Sequence, residues 1–259
     1  MSETTHLPNV RRVHFSAPLA WLAIGWRDFK MAPYMFSLFG VGLAATSMLV
    51  AGVLYTTGRF SWFMVFAGGF MIIAPIIATG LYRGAQMQEQ GKIPALVDLL
   101  APLLKGRADQ WMLGVALLFL FGLWAEVAYL IYGLSTSAVH RNAFDFFAFL
   151  ITPAGLQMAL IGTLIGGAIA FLAYTIVVVS APMLLDPEMD FFIALITSFR
   201  AVLINFPAML LWALIIAALT IIGILTAFLG LIVIFPWIGL SSWHAYRSLV
   251  EPAPVPATK

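Results

Sequence analysis

The sequence predicts an all-α, polytopic membrane protein with six transmembrane helices arranged as three hairpins with cytoplasmic amphipathic helices, and three observations carry that prediction. Of the 259 residues, 63% are hydrophobic and 9% charged, against about 45–50% and about 25% in soluble domains. The 13 basic and 11 acidic side chains cannot give a chain of this length a polar surface, which excludes a water-soluble monomer. Those charges also bound a series of apolar stretches, each near the roughly 20 helical residues that cross a hydrocarbon core about 30 Å thick. Finally, the basic residues collect on one side of the resulting arrangement.

Residues 33–55 and 60–82 make two spans joined by the polar turn Thr56-Thr57-Gly58-Arg59. Residues 110–133 make a third, whose only charged-type side chain is Glu126. No formal charge lies between Asp145 and Asp186, where residues 153–182 read as a fourth span and the aromatic stretch 146–151 as its interfacial lead-in. Arg200 and Arg247 bracket an uncharged stretch that would make about 69 Å of helix, too long for one crossing. Dividing it near Gly223 to Gly230 gives a fifth span, 207–224, and a sixth, 228–246. A re-entrant pair that never fully crosses is the competing reading.

Six spans put both termini on one side. Arg11, Arg12, Arg27, Lys30, Arg83, Lys92, Lys105, Arg107, Arg200, Arg247 and Lys259 then share that side, and only Arg59 and Arg141 fall on the other. Such a positive-inside bias makes both termini cytoplasmic, in a bacterial inner membrane. Tyr55, Trp62, Tyr82, Trp111, Tyr132, Trp237, Trp243 and Tyr246 lie near span ends, as aromatic belts do. Arg11, Arg12, Arg27 and Lys30 all precede the first span, so the start does not look like a cleavable signal peptide and is expected to be kept. Residues 1–15 are expected to form a flexible N-terminus and 251–259, with its prolines, a disordered tail.

The segments before the odd-numbered spans are too polar to cross. Asp186, Pro187 and Glu188 carry a helix-start signal. Phe191, Phe192, Leu195, Phe199 and Val202 then recur at helical spacing among Asp190, Ser198 and Arg200, predicting an amphipathic helix on the cytoplasmic leaflet. Similar segments run from Pro18 through Trp21 and Lys30 to Pro33, and from Pro94 to Lys105. Gly25-Trp26-Arg27 matches Ser198-Phe199-Arg200, and Tyr82-Arg83 matches Tyr246-Arg247, so the chain reads as three copies of interfacial helix plus hairpin, the middle copy matching poorly. Trp26, Arg27, Arg83, Arg200 and Arg247 are the candidate interfacial anchors.

Few residues carry chemistry. Glu126 is a carboxyl deep in a span, which costs several kcal/mol in lipid unless it is paired, solvated or protonated. Gly122, Glu126, Tyr129 and Gly133 fall on one stripe of that helix. The stripe reads either as a proton- or cation-carrying site or as a structural contact with a neighbouring helix, for which Thr163 and Tyr174 are possible partners. Gly162 and Gly166 form a G-x-x-x-G that admits a close neighbour, a packing signal. Pro75, Pro182 and Pro236 are expected to kink their spans. His6, His14, His140 and His244 all avoid the span centres, which argues against haem or copper ligation. A triad of His140, Asp145 and Ser137 lacks any nucleophile elbow, and helix capping accounts for most of the acids Asp186, Glu188 and Asp190. There is no cysteine. No catalytic residues, metal ligands or cofactor are assigned, and a net charge of +2 argues against nucleic acid.

Three stretches are familiar as a set: Gly25-Trp26-Arg27-Asp28 running into Pro33; Ala74-Pro75 followed by Gly80-Leu81-Tyr82-Arg83 and Glu89-Gln90-Gly91; and Ala181-Pro182 through Leu185-Asp186 to Ser198 and Asn205. With Pro236-Trp237-Ile238-Gly239 and Trp243-His244-Ala245-Tyr246-Arg247 they resemble, over nearly the whole chain, a bacterial family of predicted integral membrane proteins classed as a domain of unknown function. The resemblance implies no catalytic residues. The expected function is that of a non-enzymatic accessory or scaffold protein, bound to the lipid bilayer and to a larger membrane complex. The alternative is a carrier or channel for a small or amphiphilic solute with Glu126 near the path.

Overall fold

The computed structural model describes residues 7–137 and 143–251. Among these, the regular elements are helices, with one isolated antiparallel bridge between Val10 and Val250. The helices are α1 (Ala17–Met31), α2 (Pro33–Thr56), α3 (Phe63–Ile77, after a 3₁₀ turn at Phe60–Trp62), α4 (Thr79–Glu89), α5 (Leu96–Leu104) and α6 (Ala108–Ser135). They continue with α7 (Ala143–Leu150), α8 (Pro153–Val177), α9 (Ser180–Met183), α10 (Phe191–Ile204), α11 (Phe206–Leu225) and α12 (Leu231–Leu249). His6, His140, Arg141 and the tail beyond residue 251 lie outside the described residues.

Five stretches are long and apolar enough to cross a membrane: Pro33–Thr56, Phe60–Glu89, Ala108–Ser135, Pro153–Met183 and Phe206–Leu225. The expected sixth span is a helix, but Ser241-Ser242-Trp243-His244 and Arg247 make the second half of α12 too polar to qualify by composition. Ser241, Ser242 and Trp243 are buried, because α12 packs against α1, α2, α4, α9 and α11, while Arg247 stays exposed. Ser241 and Ser242 satisfy their hydroxyls on the carbonyls of Trp237, at 2.7 Å, and Ile238, at 2.8 Å.

One start signal is corrected. Asp186 accepts from the N–H of Glu188 at 3.0 Å, a turn that closes before helical register begins. Asp190 caps α10 instead, accepting from the N–H of Ile193 at 2.9 Å. The two faces of α10 divide by side-chain size. Ala194, Thr197, Ser198 and Ala201 are buried, whereas Phe192, Ile196, Phe199 and Leu203 point outward. Small and polar residues inside with bulky apolar residues outside is the order that suits lipid, which supplies no hydrophobic drive for helices to meet. Of the three prolines, Pro75 and Pro182 lie near breaks, between α3 and α4 and between α8 and α9, and α12 runs through Pro236 uninterrupted.

The order of short helix, long helix and proline-bearing helix recurs three times: α1, α2 and α3–α4; α5, α6 and α8–α9; α10, α11 and α12. The corner after each short helix has a similar backbone, with φ/ψ of −140°/57° at Ala32, −127°/30° at Lys105 and −117°/32° at Asn205. Each short helix lies on the closing helix of the preceding unit, α5 on α4, α10 on α9 and α1 on α12, so the three units close on themselves. At the last contact Gly25 abuts the backbone of Ser241, where a Cβ would lie closer than any real one. Ser198, the counterpart of Gly25, takes the N–H of Val179 at 3.2 Å and donates to the carbonyl of Thr175 at 2.8 Å. Gly25 and Ser198 precede their corners, Ala32 and Asn205, by the same spacing.

Residues 9–13, assigned from sequence to a flexible segment, are held. Arg11 donates its N–H to the carbonyl of Leu249 at 2.8 Å, and Glu251 donates to that of Asn9 at 3.1 Å. Asn205, at the third corner, accepts from the N–H of Val13 at 2.8 Å and donates to the carbonyl of Arg11 at 2.9 Å.

Candidate functional site: the outward face of α6

The position of Glu126 follows from how α6 is locked. Leu113, Leu117 and Leu120 are buried on one face. Just above them Trp124 wedges between α3 and α8, its indole against Gly68 and Gly166, and its Nε1 donates to the carbonyl of Val65 at 2.9 Å. Phe121 fills the space over Gly69. With these anchors inward, Val115, Phe119, Gly122, Glu126, Tyr129 and Gly133 must face outward, and all are exposed. Of the five spans α6 is the least covered by the rest of the chain, and it carries Glu126.

Glu126 stands about 13 Å of helix short of Ser135, and its side chain makes no hydrogen bond or ion pair with a described residue. Nothing described lies within 4 Å of where a Cβ on Gly122 or Gly133 would sit. Tyr129 is 60% exposed and stacks on Trp62 with ring centroids 6.5 Å apart. The stripe read from the sequence is thus a single face with small notches around a carboxyl, and it is turned away from the bundle. Neither suggested partner reaches it: Tyr174 donates its hydroxyl to the carbonyl of Met209 at 2.7 Å, and Thr163 is exposed on α8. Gly166 accommodates the Trp124 ring, whereas Gly162 has nothing within 4 Å of its Cβ position.

The anchors sit elsewhere. Trp26 lies between Phe29 and Trp237, at ring distances of 5.3 and 5.2 Å. Arg83 donates to Gln86 at 2.6 Å, and Arg247 pairs with Glu89 at 3.4 Å. Arg27 is exposed and Arg200 half-buried. Where the closing helices meet, a cavity of about 470 Å³ is lined by Gln86, Glu89, Asp186, Tyr246, Arg247 and the buried Trp243 among others. Among the described residues no group of three His, Cys, Asp or Glu side chains could hold a metal ion.

Sequence reasoning did not single out the pair of Asp28 and His244, which lies inside two of the motifs that carry the resemblance. Nε2 of His244 is 2.6 Å from Oδ2 of Asp28, and both residues are largely shielded. The available signal was a carboxylate and an imidazole within otherwise apolar helices.

Helices of this length and apolarity, with bulky residues turned outward and small ones inward, define a multi-pass α-helical membrane protein in contact with lipid. Residues 62–186 match the model of a family described as predicted integral membrane protein (DUF2189), which covers the stretch from Trp62 through α3–α9 and includes α6 and its outward face. No curated protein and no solved structure matches the chain.

Proposed function

We propose that this protein is a non-enzymatic accessory or scaffold component of a membrane complex, inserted in a bacterial inner membrane by six crossings with both termini in the cytoplasm. The observation that carries the assembly reading is the outward position of Glu126 on the least covered span. A carboxyl at that depth facing hydrocarbon is costly, and a protein partner that hydrogen-bonds it removes the cost. A carrier with Glu126 on its path would need that side chain between helices, and its outward register speaks against this. Glu126 does not line the cavity where the closing helices meet.

The bridge between Val10 and Val250 supports six crossings. Residues 9–11 and 249–251 are hydrogen-bonded neighbours, so the number of crossings between them is even. With five apolar spans, α12 supplies the sixth, its buried Ser241, Ser242 and Trp243 covered by the helices packed around it. The cytoplasmic assignment rests on Arg11, Arg27, Arg83, Arg107, Arg200 and Arg247 falling on the side of the paired ends.

The test is the mass of the species extracted from native membranes in mild detergent. The wild-type chain is expected to run well above the 28.3 kDa of one chain, and Glu126→Leu to release it. Identical single-chain mass for both would overturn the assembly reading.

A further inference from the structure

We infer that the occupant of the α6 face is a second copy of this chain, the two helices meeting at Glu126 about a two-fold axis normal to the membrane. The inference rests on the assembly reading and names its partner. Two copies inserted with the same topology are related by an axis along the membrane normal, so each residue on the contact meets its own counterpart at equal depth. A side chain at the centre of such a contact must therefore be complementary to itself. A carboxylic acid is: its O–H donates where the opposing C=O accepts, and two such groups face to face satisfy both.

The surroundings fit this contact. No Lys or Arg occurs within α6, so copies cannot pair acid with base at this depth. Gly122 lies one turn from Glu126 and Gly133 two turns, and both are open to an approaching backbone. Leu118, Phe119, Leu123 and Leu130 stand exposed beside them. Bulky side chains beside small notches are what allow helices to approach closely in lipid. A foreign helix would have to bring its own donor to this depth, whereas a second copy already carries one.

Because the chain contains no cysteine, single introduced thiols report alone. Gly122→Cys and Gly133→Cys are made in the full chain, with Leu160→Cys and Leu164→Cys on the exposed face of α8 as references, and native membranes are oxidised mildly. Disulfide-linked dimer is expected several-fold more at 122 and 133 than on α8. Adding Glu126→Leu to the Gly122→Cys chain is expected to cut dimer yield several-fold. Glu126→Gln, whose amide also donates and accepts, retains it. Equal yields on α6 and α8, or a yield indifferent to Glu126→Leu, overturn the second copy. If no α6 dimer forms while Glu126→Leu still releases a heavier wild-type complex, the second copy falls and the assembly reading stands with another partner. If Glu126→Leu leaves the extracted mass unchanged, the assembly reading itself falls.

Discussion

Asp28 and His244 meet across the contact between the first and last helices, with Oδ2 and Nε2 2.6 Å apart although 216 residues separate them in the chain. The pair closes the ring of three units at the contact where Gly25 abuts Ser241 and Trp237 donates its Nε1 to the carbonyl of Leu22 at 2.8 Å. Asp28 also offers its backbone carbonyl to Gln88 of α4 at 3.0 Å, tying three helices to one residue.

Removing one partner leaves the other buried and unsatisfied. Asp28→Ala is therefore expected to destabilise the detergent-solubilised chain by about 1–3 kcal/mol. Read as thermal unfolding, that is a drop of roughly 2–4 °C per kcal/mol for a chain of this size class. His244→Gln, which keeps a donor, should cost less than His244→Ala. Equal melting of all three variants and the wild type would show that the pair holds nothing.

The two glycines of the G-x-x-x-G should respond differently. A methyl on Gly166 enters the Trp124 ring, which is fixed by its bond to Val65. Gly166→Ala is expected to destabilise by about 1–3 kcal/mol as an overpacked contact. At Gly162 the space is open, and Ala is the better helix former by roughly 1 kcal/mol. Thermal unfolding of the two variants in detergent decides it: comparable losses would contradict the placement of Trp124 in α8's notch.

Asn205 clamps residues 11–13 with both ends of its amide. Arg11 and Arg12 are trypsin targets on exposed side chains whose backbone is held against Asn205 and Leu249. Asn205→Ala is expected to speed cleavage there several-fold, measured by the loss of an N-terminal tag, with cleavage at other sites unchanged. An unaltered rate would mean the segment is held by the bridge at Val250 alone.

The spans were legible because charges are rare enough to act as punctuation: Arg59 falls at a break within the first hairpin, and Asp145, Asp186 and Arg200 fall between the apolar spans, Asp145 and Arg200 inside the short helices α7 and α10. Glu126 was legible for the same reason, as a lone carboxyl in an apolar run. Its direction was not. A helix apolar on every side gives no periodic signal for its inner face, and here that face is chosen by Trp124 and Phe121 fitting glycines on distant helices. The start of α10 was misplaced because Asp186 and Asp190 are both competent caps, and only the turn at 186–189 distinguishes them. The hold on residues 9–13 depends on Asn205 and Leu249, which no local pattern connects to them.

The most direct measurement of the central claim, an even set of crossings completed by α12, is sided labelling of single cysteines at Leu229, in the exposed turn between α11 and α12, and at Ser248, near its end. A membrane-impermeant thiol reagent is expected to reach Leu229→Cys only from outside the cell and Ser248→Cys only from the cytoplasmic side of inverted vesicles. Labelling of both from the same side would contradict the crossing and the topology built on it.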